Sequence, residues 1–128
     1  MAHWVLKTEP STYSFDDLVR AGTARWDGVT NPVALRNIKA MTKDDQVAIY
    51  HTGAEKAVVG TATVVSAPYA DPKDSKLTVV DLKAGRKLAP VTLAEIRGMD
   101  EFGDSPLVRQ PRLSVIPATP EQWVRLTG

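Results

Sequence analysis

The sequence predicts an α+β fold, consisting of one curved, mostly antiparallel sheet or small barrel with peripheral helices. Segments with the Val- and Thr-rich composition of strands outnumber the helical patterns. The helical patterns lie mainly near the two ends of the chain. The 128 residues contain neither an internal repeat nor a linker-like segment, so we expect residues 1–128 to form one domain.

The chain begins with a short apolar run, from His3 to Lys7, that predicts a buried strand. Ser14 and Asp17 then have the spacing of a capping box, so a helix should begin there and end at Gly22. Asn31 followed by Pro32 has the pattern of a second helix start. The apolar stripe of this second helix is Ala34, Leu35, Ile38 and Met41.

The centre of the chain predicts three strands, over residues 46–51, 57–67 and 76–83. The first two are close enough for a hairpin connection, and residues 68–75 have the composition of a loop. Near the C-terminus, Thr92 with Glu95 predicts a short helix, residues 98–106 a loop and residues 113–116 a last strand. A third capping box, from Thr119 to Gln122, predicts a closing helix.

The charges nearly cancel, since 16 Lys and Arg oppose 15 Asp and Glu for a net charge of +1. This balance argues against a protein that coats DNA through many phosphate contacts. The chain has no cysteine, which excludes disulfides and thiol nucleophiles. No apolar segment is long enough to span a membrane and the N-terminus does not resemble a signal peptide, so we expect a cytoplasmic protein.

Motifs for catalysis are scarce. The sequence contains no G-x-S-x-G elbow and no phosphate-binding glycine loop. His3 and His51 are the only imidazoles and lie far apart, so we expect neither a metal site nor a cofactor. A hydrolase that uses His51 with Glu9 or Asp27 stays open only if the fold brings them together.

The segment Trp26-Asp27-Gly28 is the strongest candidate for a ligand-binding site. It is expected on a loop between two helices, where an aromatic ring, a carboxylate and a flexible backbone could hold a planar polar ligand such as a nucleobase. The alternative is a tryptophan that covers one end of the core. The basic face formed by Arg36, Lys39 and Lys43 is either solvated or in contact with phosphates.

Several segments resemble the EVE domain family, in order and over nearly the whole chain. The most specific are Trp4-Val5-Leu6-Lys7-Thr8-Glu9-Pro10 with Tyr13-Ser14, and Trp26-Asp27-Gly28-Val29 with Asn31. Further matching segments are Met41 with Asp45, Tyr50-His51-Thr52, Val59-Gly60 with Ala62, Pro90-Val91-Thr92-Leu93, Pro106-Leu107-Val108-Arg109, Arg112-Leu113-Ser114-Val115 and Thr119-Pro120-Glu121-Gln122-Trp123.

The resemblance implies a PUA-like fold and a non-catalytic domain that binds DNA or RNA and reads a modified base, such as methylated or hydroxymethylated cytosine. By likeness to YTH readers, Lys7, Thr8, Glu9, Trp26 and Asp27 would line the base pocket. The resemblance to the EVE family adds Asn31, Tyr50, His51 and Thr52 near that cavity, with Trp26 and Tyr50 as walls. Arg36, Lys39 and Arg109 are secondary candidates for phosphate contacts. Lys7 is expected to hold Glu9 or Asp27 in place.

The chain departs from the family pattern at Thr30, Pro32 and Leu35, where Arg, Tyr and Arg are common. Two potential cationic contacts and one aromatic ring are therefore missing. The alternative to a base reader is a small-molecule or protein-interaction module. We expect a monomer, although the sequence leaves the oligomeric state open.

Overall fold

A computed structural model describes residues 1–128 and shows an α+β fold, as predicted. The strands are β1 (His3–Thr8), β2 (Thr23–Trp26), β3 (Gln46–His51), β4 (Ala57–Val64), β5 (Tyr69–Asp71), β6 (Asp74–Thr92) and β7 (Val115–Ala118). The helices are α1 (Phe15–Ala21), α2 (Pro32–Lys39), α3 (Leu93–Arg97), α4 (Pro106–Arg109) and α5 (Pro120–Thr127), with a 3₁₀ turn at Asp100–Phe102.

All seven strands belong to one open, curved sheet in the order β2-β6-β4-β3-β1-β7, with β5 paired to β6. Only β1 and β3 pair in parallel, and every other pairing is antiparallel. Bulges interrupt the register between β3 and β4 and between β4 and β6. Such bulges bend a sheet and increase its twist, which accounts for the curvature.

The predicted helix starts are present. Capping boxes open α1 at Ser14, α3 at Thr92 and α5 at Thr119. Asn31 caps α2 by accepting hydrogen bonds from the backbone N–H groups of Val33 and Ala34. Each cap satisfies N–H groups that have no partner within the helix.

The main error of the sequence prediction concerns Trp26, which is not on a loop. It is the last residue of β2, a short strand that pairs with β6 in the register Trp26 opposite Val80. The strand was missed because only four residues separate Gly22 from Asp27 and two of its side chains are exposed. This pairing fixes the Trp26 backbone more firmly than a loop would.

Other boundaries differ by smaller amounts. The strand predicted over residues 76–83 extends over 19 residues, because β6 pairs with β5, β2 and β4 along its length. β4 ends at Val64, and the last strand lies at Val115–Ala118. The two predicted loops contain β5, the 3₁₀ turn and the start of α4.

The core consists of 29 buried hydrophobic residues between the sheet and the helices. α1 packs closely against β4, since a Cβ atom at Gly60 would lie only 2.3 Å from the Phe15 ring. A side chain at position 60 would therefore push α1 away from the sheet. The position of α1 matters for function, because the turn before it forms one wall of the cleft described next.

Candidate functional site

A cleft opens where β1 and β2 end. Parallel pairing places Thr8 of β1 beside His51 of β3, so the carboxyl ends of these strands share one edge of the sheet. The cavity has a volume of about 600 Å³. Twelve residues line it: Lys7, Thr8, Glu9, Thr12, Tyr13, Ala24, Arg25, Trp26, Asp27, Gly28, Val29 and Ser114. The structure thus brings five of the nine predicted pocket residues into one cleft: Lys7, Thr8, Glu9, Trp26 and Asp27.

Two aromatic rings form one corner of the cleft. The rings of Tyr13 and Trp26 meet edge to face, with centroids 6.1 Å apart and planes at 82°. Trp26 is 7% exposed, yet its Nε1–H donates to no acceptor in the protein. Because no fully buried polar side-chain atom lacks a partner, this N–H must reach solvent. The corner therefore offers an aromatic surface together with an open hydrogen-bond donor.

The Glu9 carboxylate is held at the rim of the cleft. It accepts hydrogen bonds from the Ser11 backbone N–H at 3.3 Å, the Ser11 hydroxyl at 3.1 Å and the Thr52 hydroxyl at 3.2 Å. The backbone hydrogen bond from Ser11 is the main cause that lowers the pKa of Glu9; partial desolvation opposes it, and the hydroxyls of Ser11 and Thr52 lower it further. An ionised carboxylate can only accept hydrogen bonds. Glu9 therefore presents a fixed acceptor.

Lys7 presents the opposite chemistry. Its side chain is half-buried, and its Nζ donates to the Pro111 carbonyl at 3.0 Å and lies 5.4 Å from the centroid of the Tyr50 ring. Burial lowers the pKa of the Lys7 ammonium, and no carboxylate pairs with it. The expectation that Lys7 holds Glu9 or Asp27 is therefore wrong. An ammonium has three donors, and the Pro111 carbonyl occupies one of them.

Asp27 and Gly28 follow Trp26 at the opening of the cleft. Gly28 has φ of +78°, a left-handed conformation that suits glycine and turns the chain toward α2. The Asp27 side chain is exposed and takes part in none of the four ion pairs of the protein. Its carboxylate thus remains available to an incoming group.

Four predicted pocket residues lie outside the cleft. Asn31 lines a neighbouring cleft of about 300 Å³ formed with residues 33 and 110–113. Thr52 lies behind the cleft, where its hydroxyl donates to Glu9 and its backbone N–H donates to the Thr8 carbonyl. Tyr50 is 4% exposed and lies beneath the Lys7 ammonium, so it supports that side chain and does not form a wall.

The fourth of these residues, His51, is part of the framework. Its Nε2 accepts the hydrogen bond of the Phe15 backbone N–H at 3.0 Å, and its Nδ1 lies 2.6 Å from a Glu55 carboxylate oxygen. These partners define a neutral imidazole with its proton on Nδ1. Both nitrogens are therefore engaged, and the arrangement of His51 with Glu9 or Asp27 that a hydrolase would need is not formed.

The candidates for phosphate contacts separate into two groups. Arg36 and Lys39 are exposed on α2 and belong to no ion pair. Arg109, in contrast, donates through Nε to the Gly103 carbonyl at 2.9 Å and lies 3.7 Å from Asp104. The guanidinium of Arg109 is therefore already held by the adjacent turn.

Sequence reasoning did not assign Tyr13, Arg25 or Ser114 to the site. Tyr13 belongs to the first family-like segment, and its place four residues after Glu9 was a usable signal. Arg25 depends on the missed strand β2, and its Nε donates to Tyr69 at 3.2 Å. Ser114 enters because its carbonyl accepts the Lys7 backbone N–H at 2.9 Å. Only the fold shows this last juxtaposition.

Two further features of the structure concern ligands and membranes. No group of three or more His, Asp or Glu side chains is positioned to bind a metal ion. None of the helices has the length and apolar character needed to cross a bilayer.

Comparisons with known proteins give a consistent result. The family model of the EVE domain matches residues 2–128. Mouse thymocyte nuclear protein 1 is 27% identical over 158 residues, which cover 94% of this chain and 70% of that protein.

Solved structures agree in fold. The solution structure of a Rhodopseudomonas palustris protein matches with a TM-score of 0.92 and 37% identity, over 98% of this chain and 90% of that one. Human THYN1 in complex with DNA containing 5-methylcytosine matches with a TM-score of 0.84 and 23% identity, over 98% and 95% of the two chains. The predicted PUA-like fold is confirmed, and the chain belongs to the EVE domain family.

Proposed function

We propose that this protein is a non-catalytic nucleic-acid-binding domain that reads one modified base, such as methylated or hydroxymethylated cytosine, in the Trp26 cleft. The observation that carries the proposal is the Trp26–Tyr13 corner, where two aromatic side chains and the charged residues Lys7, Glu9 and Asp27 line a cavity of about 600 Å³. The human THYN1 complex with 5-methylcytosine DNA supports it by the shared fold. Thymocyte nuclear protein 1 of mouse is a relative over most of this chain.

The energetics require both stacking and polar contacts. Turning a base out of its stack costs a few kcal/mol. Stacking on an aromatic side chain returns about 1–3 kcal/mol per base. Burial of one methyl group adds about 0.8 kcal/mol, which is roughly a fourfold preference. Hydrogen bonds that the base donates to Glu9 and Asp27 and accepts from Lys7 must therefore supply most of the remaining selectivity.

Phosphate contacts play a smaller part in this proposal. The net charge is +1, and Arg109 is engaged by its own turn. Arg36 and Lys39 are left to contact the backbone of the nucleic acid. One base in one cavity then provides most of the affinity, in contrast to proteins that depend on many phosphate contacts.

Chemistry at the bound base is not part of the proposal. The imidazole of His51 is held between the Phe15 N–H and Glu55. Glu9 is ionised and hydrogen-bonded, so it is not poised as a general acid. These contacts favour binding over hydrolysis.

The test is a titration of fluorescent oligonucleotides that differ only in one central base, which is cytosine, 5-methylcytosine, 5-hydroxymethylcytosine, adenine or N6-methyladenine, in DNA and RNA forms. Truncation of Trp26 to alanine would leave a cavity that costs about 3–5 kcal/mol of folding stability, so Trp26→Phe and Asp27→Asn are the better variants. Trp123→Phe is the matched control, because Trp123 stacks on His3, a residue of β1 distant from the cleft.

We expect wild type and Trp123→Phe to bind one modified oligonucleotide preferentially, and Trp26→Phe and Asp27→Asn to bind it at least about fivefold more weakly. Equal affinity of all four proteins for every oligonucleotide would overturn the proposal. Binding of the free modified nucleoside with no added affinity for the oligonucleotide would instead identify a small-molecule module.

A further inference from the structure

A second cleft lies next to the Trp26 cleft and differs from it in chemical character. It has a volume of about 300 Å³ and is formed by the start of α2 and the segment that leads into β7. Six residues line it: Asn31, Val33, Gln110, Pro111, Arg112 and Leu113. None of them is aromatic and none is acidic, whereas the Trp26 cleft contains both kinds of side chain. The second cleft therefore offers no ring on which a base could stack and no carboxylate that would repel an anion.

The polar side chains of the second cleft carry hydrogen-bond donors that the protein does not use. Arg112 is exposed and forms neither an ion pair nor a side-chain hydrogen bond, so all the N–H donors of its guanidinium are available. Asn31 accepts through Oδ1 from the N–H groups of Val33 and Ala34, which orients the side chain and leaves its Nδ2 without an acceptor. The amide of Gln110 is also exposed and unpaired. A guanidinium without a carboxylate partner, with amide donors beside it, suits a phosphate group.

The backbone on both sides of Arg112 is anchored to β1. The Lys7 ammonium donates to the Pro111 carbonyl at 3.0 Å, and the Lys7 backbone N–H donates to the Ser114 carbonyl at 2.9 Å. The position of the Arg112 Cα atom is therefore fixed by its neighbours, while the guanidinium is free. The entropic cost of placing Arg112 on a ligand is then limited to its own side chain.

The two clefts adjoin along two segments of the chain. Leu113 lines the second cleft, and the next residue, Ser114, lines the Trp26 cleft. Across one intervening residue, Asn31 and Val29 are related in the same way. The Cα atoms of these lining residues are therefore about 4 Å apart in the first segment and no more than about 7 Å apart in the second. A strand with one base in the Trp26 cleft thus has a neighbouring phosphate within reach of the second cleft.

We propose that the second cleft binds a backbone phosphate adjacent to the base in the Trp26 cleft, with Arg112 as the main contact and Asn31 and Gln110 as additional donors. This inference rests on the proposed function and extends it from one base to the linkage beside that base. It adds a single phosphate contact at a defined position, which agrees with a protein whose net charge is only +1.

The test uses a single-stranded DNA with one central 5-methylcytosine. In two further oligonucleotides, the phosphate on the 5′ side or on the 3′ side of that base is replaced by a methylphosphonate, which carries no charge. We expect one of the two replacements to weaken binding to wild type by about tenfold, the lower end of what a charge-assisted hydrogen bond contributes.

The variants are Arg112→Gln, which removes the charge, and Arg112→Lys, which keeps it. We expect Arg112→Gln to bind the fully charged oligonucleotide about tenfold more weakly and to lose no further affinity with the methylphosphonate that weakens wild type. Arg112→Lys should recover part of the affinity and part of the response. Lys43→Gln is the matched control, since Lys43 is an exposed cation near the opposite end of β1 and should behave as wild type. Circular dichroism and urea unfolding verify that every variant is folded.

Wild-type affinity in Arg112→Gln would overturn this inference, as would a methylphosphonate effect of the same size in wild type and Arg112→Gln or no effect at either linkage. The preference for 5-methylcytosine over cytosine is measured with the same proteins. If wild type shows that preference in any of these cases, the proposed function stands without the phosphate contact. If no oligonucleotide binds to wild type, the proposed function and this inference fail together.

Discussion

Each end of β1 lies beside a tryptophan and an aspartate, and the two pairs are used differently. At the start of the strand, the Asp45 carboxylate accepts four hydrogen bonds, from the Trp4 Nε1–H, the Ala2 N–H, and the N–H and hydroxyl of Thr42, all at 3.0 Å. At its far end, Trp26 and Asp27 form no such contacts. Asp45 is 1% exposed, whereas Asp27 lies in solvent.

The difference lies in how much hydrogen-bonding capacity the fold has already used. The Trp4–Asp45 end is closed, with every donor and acceptor satisfied inside the protein, and it stabilises the join of β1 to β3. The Trp26–Asp27 end leaves an indole N–H and a carboxylate open beside a cavity. Open polar groups of this kind are what a binding site requires and what a stable core avoids.

The largest expected effect contrasts the two aspartates. Asp45→Ala removes the acceptor of four donors in a buried place, so it should lower the free energy of unfolding by about 3 kcal/mol. Asp27→Ala, at an exposed position, should change it by less than about 0.5 kcal/mol. Urea unfolding of both variants measures the difference. Similar losses of stability in the two variants would contradict the distinction between a structural Asp45 and an unpaired Asp27.

The contribution of Asp45 also depends on pH. Burial alone would raise the pKa of Asp45, but hydrogen bonds from Thr42, Trp4 and Ala2 outweigh it and lower that pKa below 3.8. A depressed carboxyl pKa stabilises the folded state above the unfolded value, and this stabilisation disappears as the pH falls through the folded value. The gap in stability between wild type and Asp45→Ala should therefore be constant near pH 7 and narrow below about pH 4.

The second effect concerns His51, which lies near the cleft but belongs to the closed framework. His51→Ala would leave the Phe15 N–H at the start of α1 without its acceptor, at a cost of about 2 kcal/mol in the free energy of unfolding. His3→Gln is the control, because His3 only stacks on Trp123 with centroids 4.8 Å apart and should cost under about 1 kcal/mol. A loss below about 0.5 kcal/mol in His51→Ala would move His51 back among the candidate binding residues.

Much of the fold follows from local signals. The three capping boxes and the Asn31 cap each consist of residues close together in the sequence, so the starts of four helices could be predicted. β2 could not, because a four-residue strand with two exposed side chains has almost no periodic signal. Its pairing with β6 is a long-range event that local propensity does not encode.

The site was less accessible to sequence reasoning than the fold. The likeness to the EVE family predicts that Lys7, Glu9, Trp26 and Asp27 share one pocket, and all four line the cleft. Tyr50 is a strand residue like Trp26, and only packing decides that it lies beneath Lys7 and does not face the cavity. The engagement of both His51 nitrogens is likewise a property of the assembled fold.

A third prediction concerns how the affinity for nucleic acid depends on salt concentration. If one base in the open end supplies most of the affinity, few counterions are released, and the slope of log K against log salt should lie between about −1 and −3. Lys39→Ala should make the slope shallower by up to about 1, whereas Arg109→Ala should leave it unchanged because that guanidinium is held by Gly103 and Asp104. Anisotropy titrations from 50 to 200 mM salt measure it, and a wild-type slope near −6 would indicate binding driven by phosphates.

The smallest expected effect concerns Lys7 and tests whether its half-buried ammonium lowers the free energy of unfolding. Burial lowers the pKa of Lys7, which means that the folded state disfavours its charged form. Lys7→Met should therefore raise the free energy of unfolding slightly at pH 7, by no more than about 0.5 kcal/mol because much of the side chain is still in solvent. Between the folded and unfolded pKa values of Lys7, the unfolded chain binds more protons than the folded protein. The free energy of unfolding of wild type therefore increases as the pH rises toward 10.5, and its difference from that of Lys7→Met becomes smaller. Urea unfolding at pH 7, 9 and 10.5 measures this convergence.

A variant less stable than wild type by 1 kcal/mol at pH 7 would show that the Pro111 hydrogen bond makes Lys7 part of the framework. Higher stability with lost base selectivity would place Lys7 with Trp26 and Asp27, among groups that the fold keeps open for a ligand.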